Sequence, residues 1–388
     1  MQNKKIILIN QSSHYLTIDI VNEFVKKYDH VIFIYGDLDE SSRRIDSSVD
    51  KKKIISYNRK SIISRFFTWS VATIQIYFLL IKYKKYEILF FTNPPLSYLL
   101  SSFIKSDFSI LVFDIYPDSL KNFGIKETHF IYKWWVKQNK KIFSRSKAIF
   151  TLSKGMSSCL SQYVSEEKIH VVPIWSDMDC FRPIPRDQNV FLKKHKLEDK
   201  FIILYSGNIG FTHNVETIIE LAKELSDYQD IFFLIIGDGG KKTILQKRVL
   251  EYQLNNCLFL DWQPSNIVPY SLSCGYIGIV TINENTSLLS VPSKTFNLMA
   301  TGTPLLCIAP QDSELNFLIK KCNNGVCYNK SQLNEMKNFV LELRNNPKQR
   351  EKIQQNSLSA LKDFTSQNAK LFYHYIDTLN PRAKNYEK

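Results

Sequence analysis

A short apolar run, a loop and a helical stretch follow one another along the whole chain, and this alternation constrains the fold more than any single motif. The runs are Lys5–Asn10, Val31–Tyr35, Ile88–Thr92, Ser109–Asp114, Ala148–Ser153 and Ile169–Pro173. They continue with Phe201–Ser206, Ile231–Gly237, Cys257–Asp261, Ser271–Asn283, Leu305–Ala309 and Gly325–Tyr328. Between them lie helical segments, including 17–28, a long amphipathic one at 61–83, and one whose Val215, Ile218, Ile219, Ala222 and Leu225 share a face. Apolar strands separated by helices are the signature of doubly wound parallel sheets. Residues 39–60 are polar and charged and read as a loop.

At 388 residues the chain is long enough for two domains. The stretch VVPIWSDMDCFRPIPR at 171–186, with prolines around a Ser-Asp-Met-Asp centre, reads as the linker. Hydrophobic residues at 44% and charged residues at 23% exclude a disordered chain. The seven cysteines are scattered and form no CxxC pair, which points to reduced buried thiols. Asp177-Met178-Asp179 has the form of a metal-binding DxD, but such pairs arise by chance and this one sits in the linker; no metal is expected. Lys4 and Lys5 lead straight into the first strand, so no signal peptide is expected. The longest apolar run, Val71–Ile81, is interrupted by Thr73 and Gln75 and is too short to span a bilayer, so a cytoplasmic location is expected. The net charge is +14, with lysine and arginine clustered at 51–53, 59–65, 82–85, 133–147 and 193–200 among aromatic residues. Such a face suits the anionic head groups of an inner-leaflet membrane surface. No nucleic-acid-binding module is recognisable, so nucleic acid is not expected as a partner.

The chemistry concentrates in Val291–Leu306, VPSKTFNLMATGTPLL. Ser293 reads as an N-cap, Phe296, Met299 and Ala300 recur at helical spacing, and Gly302 and Pro304 end the helix before a strand. A helix N-terminus attracts anions. Lys294 puts a cation there against the dipole, which asks for a reason. Upstream, Phe201–Ser206 leads into Gly207-Asn208-Ile209-Gly210 and then a helix, the general arrangement for cradling phosphate.

VPSKTFNLMATGTPLL resembles the donor-site segment of family 4 glycosyltransferases of the GT-B fold, closest to the branch that builds bacterial surface polysaccharides such as capsule and O-antigen. More segments agree in order. TNPPLSYLL at 92–100 is similar to that branch's Ser/Thr-x-Pro-Pro element, and VFDIYPDSLKNFGI at 112–125 to its Asp-x-x-Pro-Asp/Glu-Ser segment. The linker resembles Val-Ile-Pro-Asn-x-x-Asp, with Ile174 in place of Asn. YSGNIGFTHNVETIIELAKEL and the glycine turn at Gly237 match the donor half, and Trp262-Gln263-Pro264 lies where the family contacts the nucleobase. Departures accompany the likeness. The family's two glutamates, eight residues apart, are here Leu289 and Asn297, and its Arg and Lys after the glycines are replaced by Phe211, Thr212, His213 and Asn214.

The resemblance implies two Rossmann-like domains facing a cleft: an acceptor-side domain at 1–178, a nucleotide-sugar domain at 179–362, and a C-terminal helix at 363–388 crossing back. It implies a retaining hexosyl- or N-acetylhexosaminyl-transferase, a UDP-sugar for preference, and a lipid-linked glycan acceptor at the inner face of the membrane. No cofactor is expected. Donor contacts fall to Gly207, Asn208, Gly210, Gly237, Lys241, Gln263, Pro292, Ser293, Lys294 and Asn297. With the family's Arg and Lys absent, positive charge rests on Lys294 and Lys241. Asp114, Asp118 and His14 are the candidates for the catalytic side. Asp118 reads equally well as a helix cap and His14 as a surface histidine. Two other readings stand beside the transferase, a nucleotide-sugar 2-epimerase and a non-catalytic GT-B assembly partner.

Overall fold

In the computed structural model, residues 4–58, 60–210, 213–284 and 292–378 are described, and they divide into two compact units. The first comprises 1–174 together with 366–388, the second 175–365. Phe211, Thr212, Leu289 and Val291, named above, lie outside the described residues.

The first unit runs β1 (Lys5–Ser13), α1 (Tyr15–Val25), β2 (His30–Leu38), β3 (Asp50–Lys53), α2 (Ile62–Lys82), β4 (Glu87–Phe91), β5 (Phe108–Val112), α3 (Phe130–Arg145), β6 (Ile149–Thr151), α4 (Lys154–Leu160) and β7 (Ile169–Val171). Its seven strands lie in the order β3-β2-β1-β4-β5-β6-β7, and every pair is parallel. Ile6, Ile7, Leu8 and Ile9 are all fully buried, as consecutive residues of a strand covered on both faces must be. The second unit runs α5 (Val190–His195), β8 (Phe201–Ser206), α6 (Glu216–Glu224), β9 (Ile231–Ile236), α7 (Lys242–Glu251), β10 (Cys257–Leu260), α8 (Val268–Leu272), β11 (Ile277–Thr281), α9 (Lys294–Ala300), β12 (Leu305–Ile308), α10 (Glu314–Cys322), β13 (Gly325–Tyr328), α11 (Leu333–Asn345) and α12 (Pro347–Ala360). Its sheet is β10-β9-β8-β11-β12-β13, again all parallel. The final helix, α13 (Ala369–Thr378), packs in the first unit, where Phe372 meets Phe150 at 4.9 Å between ring centroids. The doubly wound α/β class expected from the alternation is the observed fold.

Four expectations are corrected. Residues 39–60 are not all loop: Asp50–Lys53 (DKKK) forms an edge strand on β2, held by backbone pairing that its polar sequence does not advertise. The run 271–283 is not one strand, since its first residues complete α8 and β11 begins only at Ile277. Ser293 does not cap α9 with its side chain; its backbone is already helical, at φ −58° and ψ −29°. The apolar run lies within a longer helix, the 21-residue α2, which is long and apolar enough by length and composition alone to cross a membrane and is the one such helix among the described residues. Gly302 does take the left-handed conformation that ends α9, with φ +70°.

Candidate functional site

In the second sheet, the chain runs outward one way from β8 through β9 to β10 and the other way from β11 through β12 to β13. The crevice beyond the C-terminal ends of β8 and β11 is therefore the switch point, where open α/β sheets bind ligands. Two glycine loops meet there. Gly207 follows β8 and donates its N–H to Ile236, and Gly237 follows β9 with φ +142°. A Cβ on Gly237 would stand 2.0 Å from the Gly207 carbonyl oxygen, so only glycine lets the loops abut. The Ile209 N–H donates to Asp238, the Lys241 N–H donates to Ile209, and the buried Tyr205 hydroxyl donates to the Asn208 carbonyl at 2.6 Å. These bonds fix the backbone of 207–210 as a shelf.

Lys294, in the first turn of α9, reaches under that shelf. A Cβ on Gly207 would meet its Nζ at 2.5 Å, and the ammonium lies 4.2 Å from the centre of the Tyr205 ring. The Nζ is buried and makes no hydrogen bond, and burial pulls its pKa down to about 7. A cation held out of water with only a ring face for company is costly unless an anion joins it. His213 donates from Nδ1 to the Thr281 carbonyl at 2.9 Å, and burial, reinforced by Lys294, holds its pKa at about 4. It is a neutral donor-bonded wall of the same crevice.

The other donor candidates fare differently. Asn208 folds over Gly210, its Nδ2 only 2.7 Å from where a Gly210 Cβ would stand. Lys241 is turned to Glu216 at 2.7 Å and to the His213 carbonyl at 2.9 Å, so its charge is largely compensated, unlike that of Lys294. Asn297 accepts from the Ser176 hydroxyl at 3.0 Å, which ties α9 to the linker. Ser293 is exposed, and Pro292 accepts the Thr295 N–H. Gln263 bonds back to the Asp261 carbonyl on its own loop after β10. In the linker, Asp177 is buried and Asp179 exposed, so the DxD carboxylates do not present a shared surface.

In the first sheet the switch point lies between β1 and β4. Past β5, the loop 113–118 is clamped along its length. Thr92 Oγ1 accepts the Phe113 and Asp114 N–H groups at 3.0 and 3.3 Å, and Asn139 Nδ2 donates to the Tyr116 carbonyl at 2.6 Å. Asp114 is exposed on this rigid loop. Asp118, by contrast, is buried, and its oxygens accept the hydroxyls of Tyr132 and Tyr163 at 2.7 and 2.6 Å. That occupancy makes it an anchor of the loop. His14 occupies the exposed N-cap position of α1 without a side-chain capping bond, close enough to Asp39 to help hold that carboxyl low after the larger effect of Ser41.

The structure thus brings Gly207, Asn208, Gly210, Gly237 and Lys294 together beside the C-terminal ends of β8 and β9, and leaves Gln263 and Asn297 engaged by other partners. Sequence reasoning missed Tyr205, which reads only as a strand residue, and the burial of His213. The strand-terminal position of Tyr205, immediately before the glycine loop, was the available signal.

Comparison with known proteins adds an independent line. Residues 187–359 match the family described as glycosyl transferases group 1. The chain is 31% identical over 174 residues to the putative colanic acid biosynthesis glycosyl transferase WcaI of Escherichia coli strain K12, covering 44% of this chain and 42% of that protein. It is 24% identical over 218 residues to the probable glycosyltransferase WbjE of Pseudomonas aeruginosa, covering 56% and 54%. The matches therefore span about half the length of these curated relatives. Among solved structures, Anabaena HepE in complex with UDP-glucose superimposes with a TM-score of 0.72 at 12% identity, covering 97% of this chain and 99% of that one. At that identity the likeness shows the fold, which is GT-B.

Proposed function

We propose that this protein, whose residues 187–359 match the group 1 glycosyl transferases, is a retaining glycosyltransferase that moves a sugar from a nucleotide-diphospho-sugar, a UDP-sugar for preference, to a lipid-linked glycan in surface-polysaccharide biosynthesis. The observation that carries this reading is the buried, unpartnered Lys294 ammonium beneath Gly207. The donor's diphosphate would rest on the 207–210 backbone with the Lys294 charge below it, so the charge that develops on the leaving group is met by fixed groups without a metal. The sugar C1–O bond to phosphate breaks as the acceptor hydroxyl oxygen bonds to C1 on the same face. The hydroxyl proton passes to the leaving phosphate oxygen, and nucleoside diphosphate departs. Asp114 orients the acceptor hydroxyl or shares its proton. The relation to WcaI, a putative colanic acid biosynthesis enzyme, supports a polysaccharide acceptor, and the net charge of +14 supports work at the inner face of the membrane.

The test is thermal stabilisation by UDP-, GDP- and TDP-sugars, with and without EDTA, beside Lys294→Ala. The expected result is a shift with one nucleotide class, unchanged by EDTA and lost in the variant. Absence of any shift overturns the donor site and leaves a non-catalytic GT-B partner as the better description.

A further inference from the structure

Helix α2 presents its apolar side outward. Ile63, Phe67, Ile74 and Phe78 follow one helical face and are 82, 62, 57 and 66% exposed, and Ile81 continues the line. The opposite stripe, Trp69, Ala72, Ile76 and Leu80, is buried in the first unit. The hydroxyls on the helix are spent internally: Ser70 and Thr73 donate to the Phe66 and Trp69 carbonyls at 2.9 and 2.7 Å. A surface helix normally turns charge outward; this one offers about 30 Å of apolar surface over its 21 residues. Exposed faces of that kind mark an interaction.

We propose that α2 is the membrane-docking element of the protein, lying flat in the head-group region of an anionic bilayer with its outward face in the acyl boundary. Charge selects this occupant. From Lys60 to Tyr86, the helix and its flanks, the chain carries five lysines and arginines and no acidic residue, and Lys60 and Lys82 flank the stripe as exposed cations. A second copy would bring the same charge to the same face and be repelled, whereas anionic head groups neutralise it. Spanning is ruled out by the buried stripe and by Gln11, whose Nε2 donates to the Thr68 carbonyl at 3.1 Å, so the helix lies on the bilayer. The docked helix is continuous with the candidate acceptor loop: Trp69 packs edge-on against Tyr116, centroids 6.1 Å apart, two residues from Asp114. Docking through α2 would keep that loop beside the head groups, where a lipid-linked acceptor displays its glycan. This last step rests on the transferase reading; the docking itself does not.

The experiment is flotation of the full-length protein with phosphatidylcholine vesicles, with and without phosphatidylglycerol, for the wild type and a Phe67→Ser/Phe78→Ser double variant. Mass in solution and the nucleotide-sugar thermal shift are measured on the same preparations. The expected outcome is binding to the anionic vesicles only, weakened about tenfold or more in the variant, with donor stabilisation intact. Equal binding by the variant overturns the proposal, as does a wild-type dimer that the variant dissolves. A missing donor shift with vesicle binding intact would fault the transferase reading alone.

Discussion

On the proposed donor-site reading, Lys294 couples stability to anion binding through a single proton. Its folded pKa of about 7 lies below the ordinary lysine value of 10.5, so between those pH values the unfolded chain holds more protons than the folded one. Stability of the empty protein therefore rises with pH from about 7 to about 10.5, and the full burial penalty applies below about 7. Each unit of depression is worth about 1.4 kcal/mol. Lys294→Met should raise the melting temperature of the empty protein near neutral pH, flatten that slope and abolish donor stabilisation; denaturant titrations on either side of neutrality check it. In the wild type, donor affinity should fall as pH rises above about 7, because binding must then supply the proton, and calorimetric titration across that range reads it. A variant that lost stability along with binding would mark Lys294 as structural. The lysine was conspicuous in the sequence for opposing the helix dipole, but its burial was not, because Tyr205 and Gly207 enclose it from a strand and a loop almost ninety residues away.

At the scale of the element, the loop 113–118 separates two aspartates that look alike in sequence. Asp118→Ala leaves the Tyr132 and Tyr163 hydroxyls without their acceptor in a buried site, with an expected cost of about 2–4 kcal/mol. Donor stabilisation should survive. Asp114→Asn should cost much less stability than Asp118→Ala, since Asp114 is exposed and Asp118 buried, and lower the transfer rate by about a hundredfold. Thermal unfolding and single-turnover sugar transfer on both variants test the division, and a stable, fully active Asp114→Asn would end the assignment. What distinguishes the pair is contributed by α3 and by Tyr163, 45 residues beyond Asp118. The edge strand β3 teaches the same lesson, because DKKK pairs through its backbone and carries no apolar periodicity to announce itself.

At the scale of the whole molecule, the chain ends in the unit where it began. Phe372 and Ile376 of α13 are each 1% exposed, Tyr373 packs edge-on against Phe24 and Tyr28, and Tyr375 stacks on His170 at 4.3 Å. Burial of Phe372 and Ile376 alone is worth about 4 kcal/mol, a large part of an ordinary folding margin. Deleting 366–388 should therefore unfold or loosen the first unit while the second, complete within 175–365, keeps its donor-induced stabilisation. Limited proteolysis with and without nucleotide-sugar would show it as donor-protected fragments from the second unit only. Uniform resistance of the truncated chain would show that α13 adds little.

The sequence by itself determined the fold class, and it marked out the glycine loop between β8 and α6. Both are written locally: continuous apolar runs demand strands covered on both faces, and a glycine turn between strand and helix is a short-range signal. The tertiary structure alone decided which charges remain available. Lys294 and Lys241 are both lysines beside a glycine loop in the linear chain, yet one is buried over a tyrosine ring and the other is paired with Glu216. It likewise decided that the apolar face of α2 points to solvent, since a helix rich in apolar residues on both sides cannot reveal which stripe the core will take. Desolvation and pairing depend on neighbours brought together by long-range packing, and these neighbours are absent from any local stretch of sequence.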